Sequence, residues 1–108
     1  MEGVIELTTV EFRKLMKWVR KQCPIDTPVN VRRYPCKKRC AITRFDGSRF
    51  FIRIKSDQDR QGQIDALLHE WAHAGAINNS YKHEGEWPVI YGAIYTAWDR
   101  TEWKDIQK

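Results

Sequence analysis

The chain reads as one α+β domain, with an N-terminal helix, a small antiparallel three-stranded sheet containing a hairpin, and two C-terminal helices. Three observations predict this order. Apolar residues recur at helical spacing from Phe12 to Val19, at a spacing of two between Thr27 and Lys55, and again at helical spacing from Ile64 to Trp98. The 108 residues suit a single domain spanning 1–108 with a modest core. Apolar residues make up 42% and charged residues 31%, the balance of an ordinary globular protein. No apolar run has the length of a membrane span, and Met1 to Glu6 lacks the basic and apolar regions of a signal peptide. A cytoplasmic protein without membrane contact is the expectation. The three cysteines, an odd number, suit a reducing compartment better than a disulfide framework.

The first helix opens at Thr8, where Glu11 three residues on completes a capping box and Leu7 with Phe12 forms a hydrophobic staple. Phe12, Leu15, Met16 and Val19 form its apolar stripe, and Pro24 ends it. Val29 and Val31 alternate with polar neighbours in a short strand. Residues 41–45 and 48–55 then flank Asp46-Gly47, a strong signal for a two-residue hairpin turn. That turn pairs Phe45 with Ser48, Thr43 with Phe50 and Ala41 with Ile52, and makes these residues and Ile54 the inward face. The other face carries Arg44, Arg49, Phe51, Arg53 and Lys55. Arg44 then stands opposite Arg49, a like-charge conflict. Either the register differs by a residue or that face meets an anionic partner, and a solvated face is the plainer reading.

Ser56-Asp57-Gln58-Asp59 supplies N-cap candidates for a helix reaching about Ala76, with Asn78-Asn79-Ser80 as a polar turn after it. Pro88 suits the first turn of a last helix, whose apolar positions are Val89, Ile90, Ala93, Ile94, Ala97 and Trp98. Trp87, Trp98 and Trp103 pack or cover the core, and the polar tail from Asp99 frays in this reading.

The second helix carries His69-Glu70-Trp71-Ala72-His73. Residues four apart share a helix face, so two imidazole nitrogens can meet at one zinc ion. Glu70 follows the first histidine and can reach a water at the metal without being a ligand, as the general base of a metallopeptidase must. A catalytic zinc site takes three protein ligands and keeps one position open. The remaining histidine, His83, lies between the second and third helices and is the preferred third ligand; Glu84, Glu86, Asp99 and Glu102 are the carboxylate alternatives. Tyr81, Tyr91, Tyr95 or an arginine could stabilise a developing oxyanion. The small residues Ala72, Ala74, Gly75 and Ala76 let another element approach this helix closely.

The stretches His69 to His73 and His83-Glu84-Gly85-Glu86-Trp87, with Asn78-Asn79 between them, resemble the SprT-like (Spartan-type) zincin metalloproteases over about Ile64 to Trp98. The resemblance implies that His69, His73 and His83 bind one zinc ion, that Glu70 is the catalytic base, and that the substrate is a protein or peptide, with DNA-associated proteins as a candidate class. Glu84 stands where the family has glycine, Gly85 comes one place late, and these 108 residues hold no cysteine-rich zinc ribbon. The size is that of a minimal, phage-type member.

A second function competes with the first. The net charge is +5 and the isoelectric point about 9.3. Arg32, Arg33, Lys37, Lys38 and Arg39 cluster in one segment with Tyr34, and such cations give sequence-independent affinity for phosphates. The alternative is therefore a non-catalytic zinc-containing module that binds DNA or a protein through this segment. Cys36 and Cys40 lack the spacing and the second pair of a zinc site, and Cys23 cannot complete four ligands, so all three are expected as free thiols.

Overall fold

The structure, a computed structural model, describes residues 7–35, 41–80 and 87–108, with only the backbone at 79 and 80. The order of elements is α1 (Thr9–Gln22), β1 (Val29–Tyr34), β2 (Ala41–Phe45), β3 (Phe50–Lys55), α2 (Arg60–Ser80), α3 (Trp87–Asp99) and α4 (Trp103–Ile106). The α+β class stands.

Helix α1 forms as its local chemistry dictates. The Thr8 hydroxyl accepts from the Glu11 amide at 3.1 Å, and the Glu11 carboxylate accepts from the Thr8 amide at 2.9 Å, closing the capping box. Phe12, Leu15, Met16 and Val19 are buried, as is Leu7 at the staple position.

The sheet is mixed rather than wholly antiparallel. Its strand order is β1-β3-β2: β3 is antiparallel to β2 but parallel to β1, with Val29 beside Phe50 and Val31 beside Ile52. Strand β3 is the most β-prone of the three (Phe50-Phe51-Ile52-Arg53-Ile54-Lys55), and a central place pairs both its edges. Backbone bonds from Phe50 to the Pro28 carbonyl (2.9 Å) and from Ser56 to the Tyr34 carbonyl (3.0 Å) extend the parallel ladder past the start of β1 and the end of β3.

The hairpin loop also differs from its expected form. Phe45 pairs with Phe50, Thr43 with Ile52 and Ala41 with Ile54, so the loop holds residues 46–49 and the register is displaced by two. The Asp46 carboxylate accepts from the Ser48 amide (2.9 Å), the Ser48 hydroxyl (3.0 Å) and the Arg49 amide (2.8 Å), while Gly47 takes φ 98°. Those bonds hold the Asp46 carboxyl below its ordinary pKa, the Ser48 amide contributing most. Phe45 stacks on Phe50 with ring centroids 4.6 Å apart, which favours this pairing. A two-residue displacement leaves every side chain on its expected face, because the strand period is two. It also removes the conflict between Arg44 and Arg49, since Arg44 now stands opposite Phe51.

Helix α2 is buried nearly all round: Ile64, Leu67, Leu68, Trp71, Ala72 and Ala74 are in the core with Phe50, Ile52 and Ile54 of β3 and Ile94 of α3. Asp59 caps it, accepting from the Gly62 amide at 2.8 Å. Gly75 lies against Cys23 and against Ile90 of α3, where a Cβ would stand 3.4 Å and 3.5 Å from them, ordinary contact distances, so α3 packs closely here without requiring glycine. Asn78 and Ser80 belong to the helix rather than to a turn after it. Asn78 is bonded through its side chain to the Thr27 hydroxyl at 2.9 Å, a tertiary contact that carries the helix further than its local sequence does.

The tail is docked rather than frayed. Trp98 meets Trp18 of α1 edge-on (5.5 Å) and Trp103 of α4 (6.2 Å), Arg60 lies over Trp103, and Gln107 is bonded to both Lys14 and Glu11 of α1.

Candidate metal centre

His69 and His73 lie on successive turns of α2, and their Nε2 atoms are 3.1 Å apart. Two nitrogens on a tetrahedral zinc ion, each about 2.0–2.1 Å from it, are separated by roughly 3.3 Å, so this pair fits such an ion with a small opening. Burial holds His73 below its ordinary pKa, opposed by the charge of Glu70 and aided by His69. The neutral imidazole that results is the form that ligates metals.

Glu70 is buried at 9% exposure, yet it lines an open cleft of about 570 Å³ with His69, Asp65, Ala41 and Tyr91. Strand β2 supplies the residue that holds it. The Thr43 hydroxyl donates to Glu70 Oε1 at 2.6 Å and also lies 3.2 Å from the Glu70 carbonyl oxygen. A short hydroxyl–carboxylate bond of this kind fixes the acid's orientation. Strand alternation puts Thr43 on the inward face, and only the packing of β2 on α2 brings it to Glu70. The only available signal was a polar residue at an inward strand position.

Helix α3 forms an aromatic wall over the histidines. Trp87 stacks on His73 (5.0 Å, 27° between planes) and on Tyr91 (4.8 Å, 14°), and its edge meets His69 at 5.1 Å. Its indole nitrogen is buried without a hydrogen-bond partner among the described residues. Tyr91 also packs against His69, at 5.4 Å. The Tyr95 hydroxyl donates to Asp65 at 2.8 Å. Burial, with hydrogen bonds to Tyr91 and Asp65, pushes its phenol far above the usual range, so Tyr95 stays protonated. Of the expected oxyanion donors, Tyr91 reaches the cleft wall and Tyr95 is occupied with Asp65.

His83 lies outside the described residues, as do Tyr81, Glu84 and Glu86. Among the described residues no group of three His, Cys, Asp or Glu side chains gathers at the pair. Asp99 is exposed at the end of α3, and Glu102 is paired with Lys104 at 3.2 Å. Lys37, Lys38 and Arg39, with Cys36 and Cys40, also lie outside the described residues. Strand alternation separates Arg32 from Arg33. Arg32 is exposed, whereas Arg33 points to the core side, bonded to the Leu7 carbonyl and to Gln63 (3.0 Å) and lying over the Phe12 ring at 4.5 Å. Cys23 is a free thiol, and burial raises its pKa. No helix of the described residues is long and apolar enough to cross a membrane.

Comparison with family models, with curated protein sequences and with solved structures gives no match.

Proposed function

We propose that the chain is a zinc-dependent metallopeptidase that hydrolyses peptide bonds in a protein or peptide substrate. The observation that carries this reading is the conjunction at α2: two imidazole nitrogens 3.1 Å apart, beside a carboxylate oriented by Thr43 and open to a cleft. A purely structural metal has no need of that carboxylate. His69 and His73 would hold the ion, with His83 as the proposed third ligand. When bound, zinc would lower the pKa of a water and polarise the substrate carbonyl.

The chain's own part follows from its geometry. Thr43 occupies Glu70 Oε1, so Oε2 is the atom that takes a proton from the attacking water and returns it to the leaving amine. Burial keeps His73 neutral and available as a ligand. Tyr91 lines the cleft with His69 and Glu70 and is the proposed donor to a developing oxyanion, for which its hydroxyl would leave its bond to Tyr95. Trp87, stacked on His73, limits how that ring can turn and keeps water from one side of the pair.

The test is metal content after purification without added metal, for wild type, His69→Ala and His83→Ala. The reading expects one zinc per chain in wild type, loss in His69→Ala and marked weakening in His83→Ala. Cleavage of an unfolded protein substrate should then require zinc and disappear in Glu70→Gln with metal retained. Wild type that stays free of zinc after supplementation would refute the proposal and leave the two histidines as a hydrogen-bonded pair. Unchanged zinc in His83→Ala would move the third ligand to a carboxylate.

A further inference from the structure

The outward face of the sheet, away from the metal centre, has no part in this chemistry. The parallel and antiparallel registers bring Arg32, Arg44, Arg53 and Lys55 onto one surface with Tyr34 and Phe51. Its remaining strand positions are Asn30 and Ile42, so the outward positions of the three strands carry no carboxylate. Arg32 stands directly beside Arg53 across the parallel pair, a placement that costs stability through like-charge repulsion. None of the four cations is in an ion pair among the described residues. Arg32, Arg44 and Arg53 are exposed, and Tyr34 is 36% exposed with Arg53 over its ring at 5.6 Å. Between them runs a shallow cleft of about 330 Å³, bordered by Tyr34, Ile42, Arg44, Arg53 and Lys55.

We propose that this face binds single-stranded nucleic acid. Four cations on one side of a sheet, with no carboxylate among its outward strand positions, complement a polyanion and release counterions when they meet its phosphates. The aromatic rings select among polyanions. Exposed Tyr34 and half-buried Phe51 lie on the same face as the cations, where splayed bases can stack on them; a duplex, a polyglutamate chain and a lipid surface offer no such bases. Repulsion between Arg32 and Arg53 in the free protein is relieved by phosphate, which is a physical reason for the pair to stand where it does. The site differs from the segment the sequence suggested: it uses Arg32 but not Arg33, and it recruits Arg44, Arg53 and Lys55 from the hairpin. It does not depend on the metal.

The experiment is fluorescence anisotropy of a labelled oligothymidylate of about 12 nucleotides, a length within the usual site size, titrated with the full chain at several salt concentrations. Wild type should bind saturably, and Glu70→Gln should bind equally well. Arg32→Ala and Arg53→Ala should each weaken binding and reduce the log–log salt slope by about 0.7. Tyr34→Leu and Phe51→Leu keep apolar bulk but cannot stack; each should lose about tenfold in affinity at unchanged slope. Arg13→Ala on α1 is the control and should change nothing. Far-UV circular dichroism verifies that each variant is folded. Absence of saturable binding by wild type would overturn the proposal. So would folded variants of the face that bind as wild type does. Duplex DNA, polyglutamate or phosphatidylserine vesicles that compete as well as the single strand would also overturn it, by showing a general polyanion surface.

Discussion

Replacing Thr43 by valine removes one hydroxyl and nearly nothing else. That hydroxyl donates to Glu70 Oε1 at 2.6 Å, beneath a carboxylate that is 9% exposed. A hydrogen bond to a charged group contributes about 1.5–3 kcal/mol, and its loss leaves a largely buried carboxylate short of a donor. For a domain of this size the melting temperature should fall by roughly 5–20 °C. The kinetic effect is more diagnostic. Thr43 does not line the cleft, so substrate binding should be untouched and KM should hold. The freed carboxylate can swing, and misplacing a catalytic group by about 1 Å costs on the order of 100-fold in rate. The assay is steady-state cleavage of a fluorogenic peptide by zinc-loaded enzyme at a temperature where both proteins are folded, with zinc content measured in parallel. Expected are a kcat reduced about 10- to 100-fold, an unchanged KM, full zinc occupancy and near-complete recovery in Thr43→Ser. Wild-type kcat in folded, zinc-loaded Thr43→Val would refute the positioning role. Failure of Thr43→Ser to recover would show that the methyl group, not the hydroxyl, is what matters.

Four further outcomes follow from the same geometry. Thr8→Ala removes the hydroxyl that accepts from the Glu11 amide and should cost about 1 kcal/mol in denaturant unfolding. The Glu11 carboxyl is held below its ordinary pKa, chiefly by the Thr8 amide. A depressed carboxyl stabilises the fold above its unfolded pKa, and that contribution is lost as pH falls below about 4.5 through the folded value; Glu11→Gln should flatten this part of the stability–pH curve, leaving the curve near neutrality parallel to wild type. Trp103→Ala deletes the ring that packs on Trp98 and lies under Arg60, and should lower the melting temperature by several degrees while leaving zinc content unchanged, whereas a fraying tail predicts no shift. Chelation of wild type should lower thermal stability by about 2.7 kcal/mol relative to protein at a free zinc concentration of 100 times Kd, and leave His69→Ala indifferent to chelator.

Local chemistry determined a large part of this molecule. The capping box at Thr8 and Glu11, the stripe from Phe12 to Val19, the hairpin around Asp46-Gly47 and the helix that carries His69, Glu70 and His73 are all legible in the sequence. Each depends on contacts within a few residues, so spacing and residue type suffice. The approach of His69 to His73 belongs to the same class, because helix geometry alone brings i and i+4 together.

Only the tertiary structure decided the rest. Pairing β1 with β3 in parallel, rather than continuing an antiparallel meander, depends on which strand gains most from a central place, and that is a comparison among all three. The hairpin register turned on Phe45 meeting Phe50 and on the hydrogen bonds of Asp46, a choice between two loops that share one dipeptide. Helix α2 outran its polar end because Thr27, 51 residues away in the chain, bonds Asn78. Thr43 reaches Glu70 across 27 residues, and Arg33 turns to the core while Arg32 faces outward with Arg44, Arg53 and Lys55. Spacing along a chain says which side of its own strand or helix a residue occupies. It does not say what stands opposite, because that depends on the packing of the entire domain.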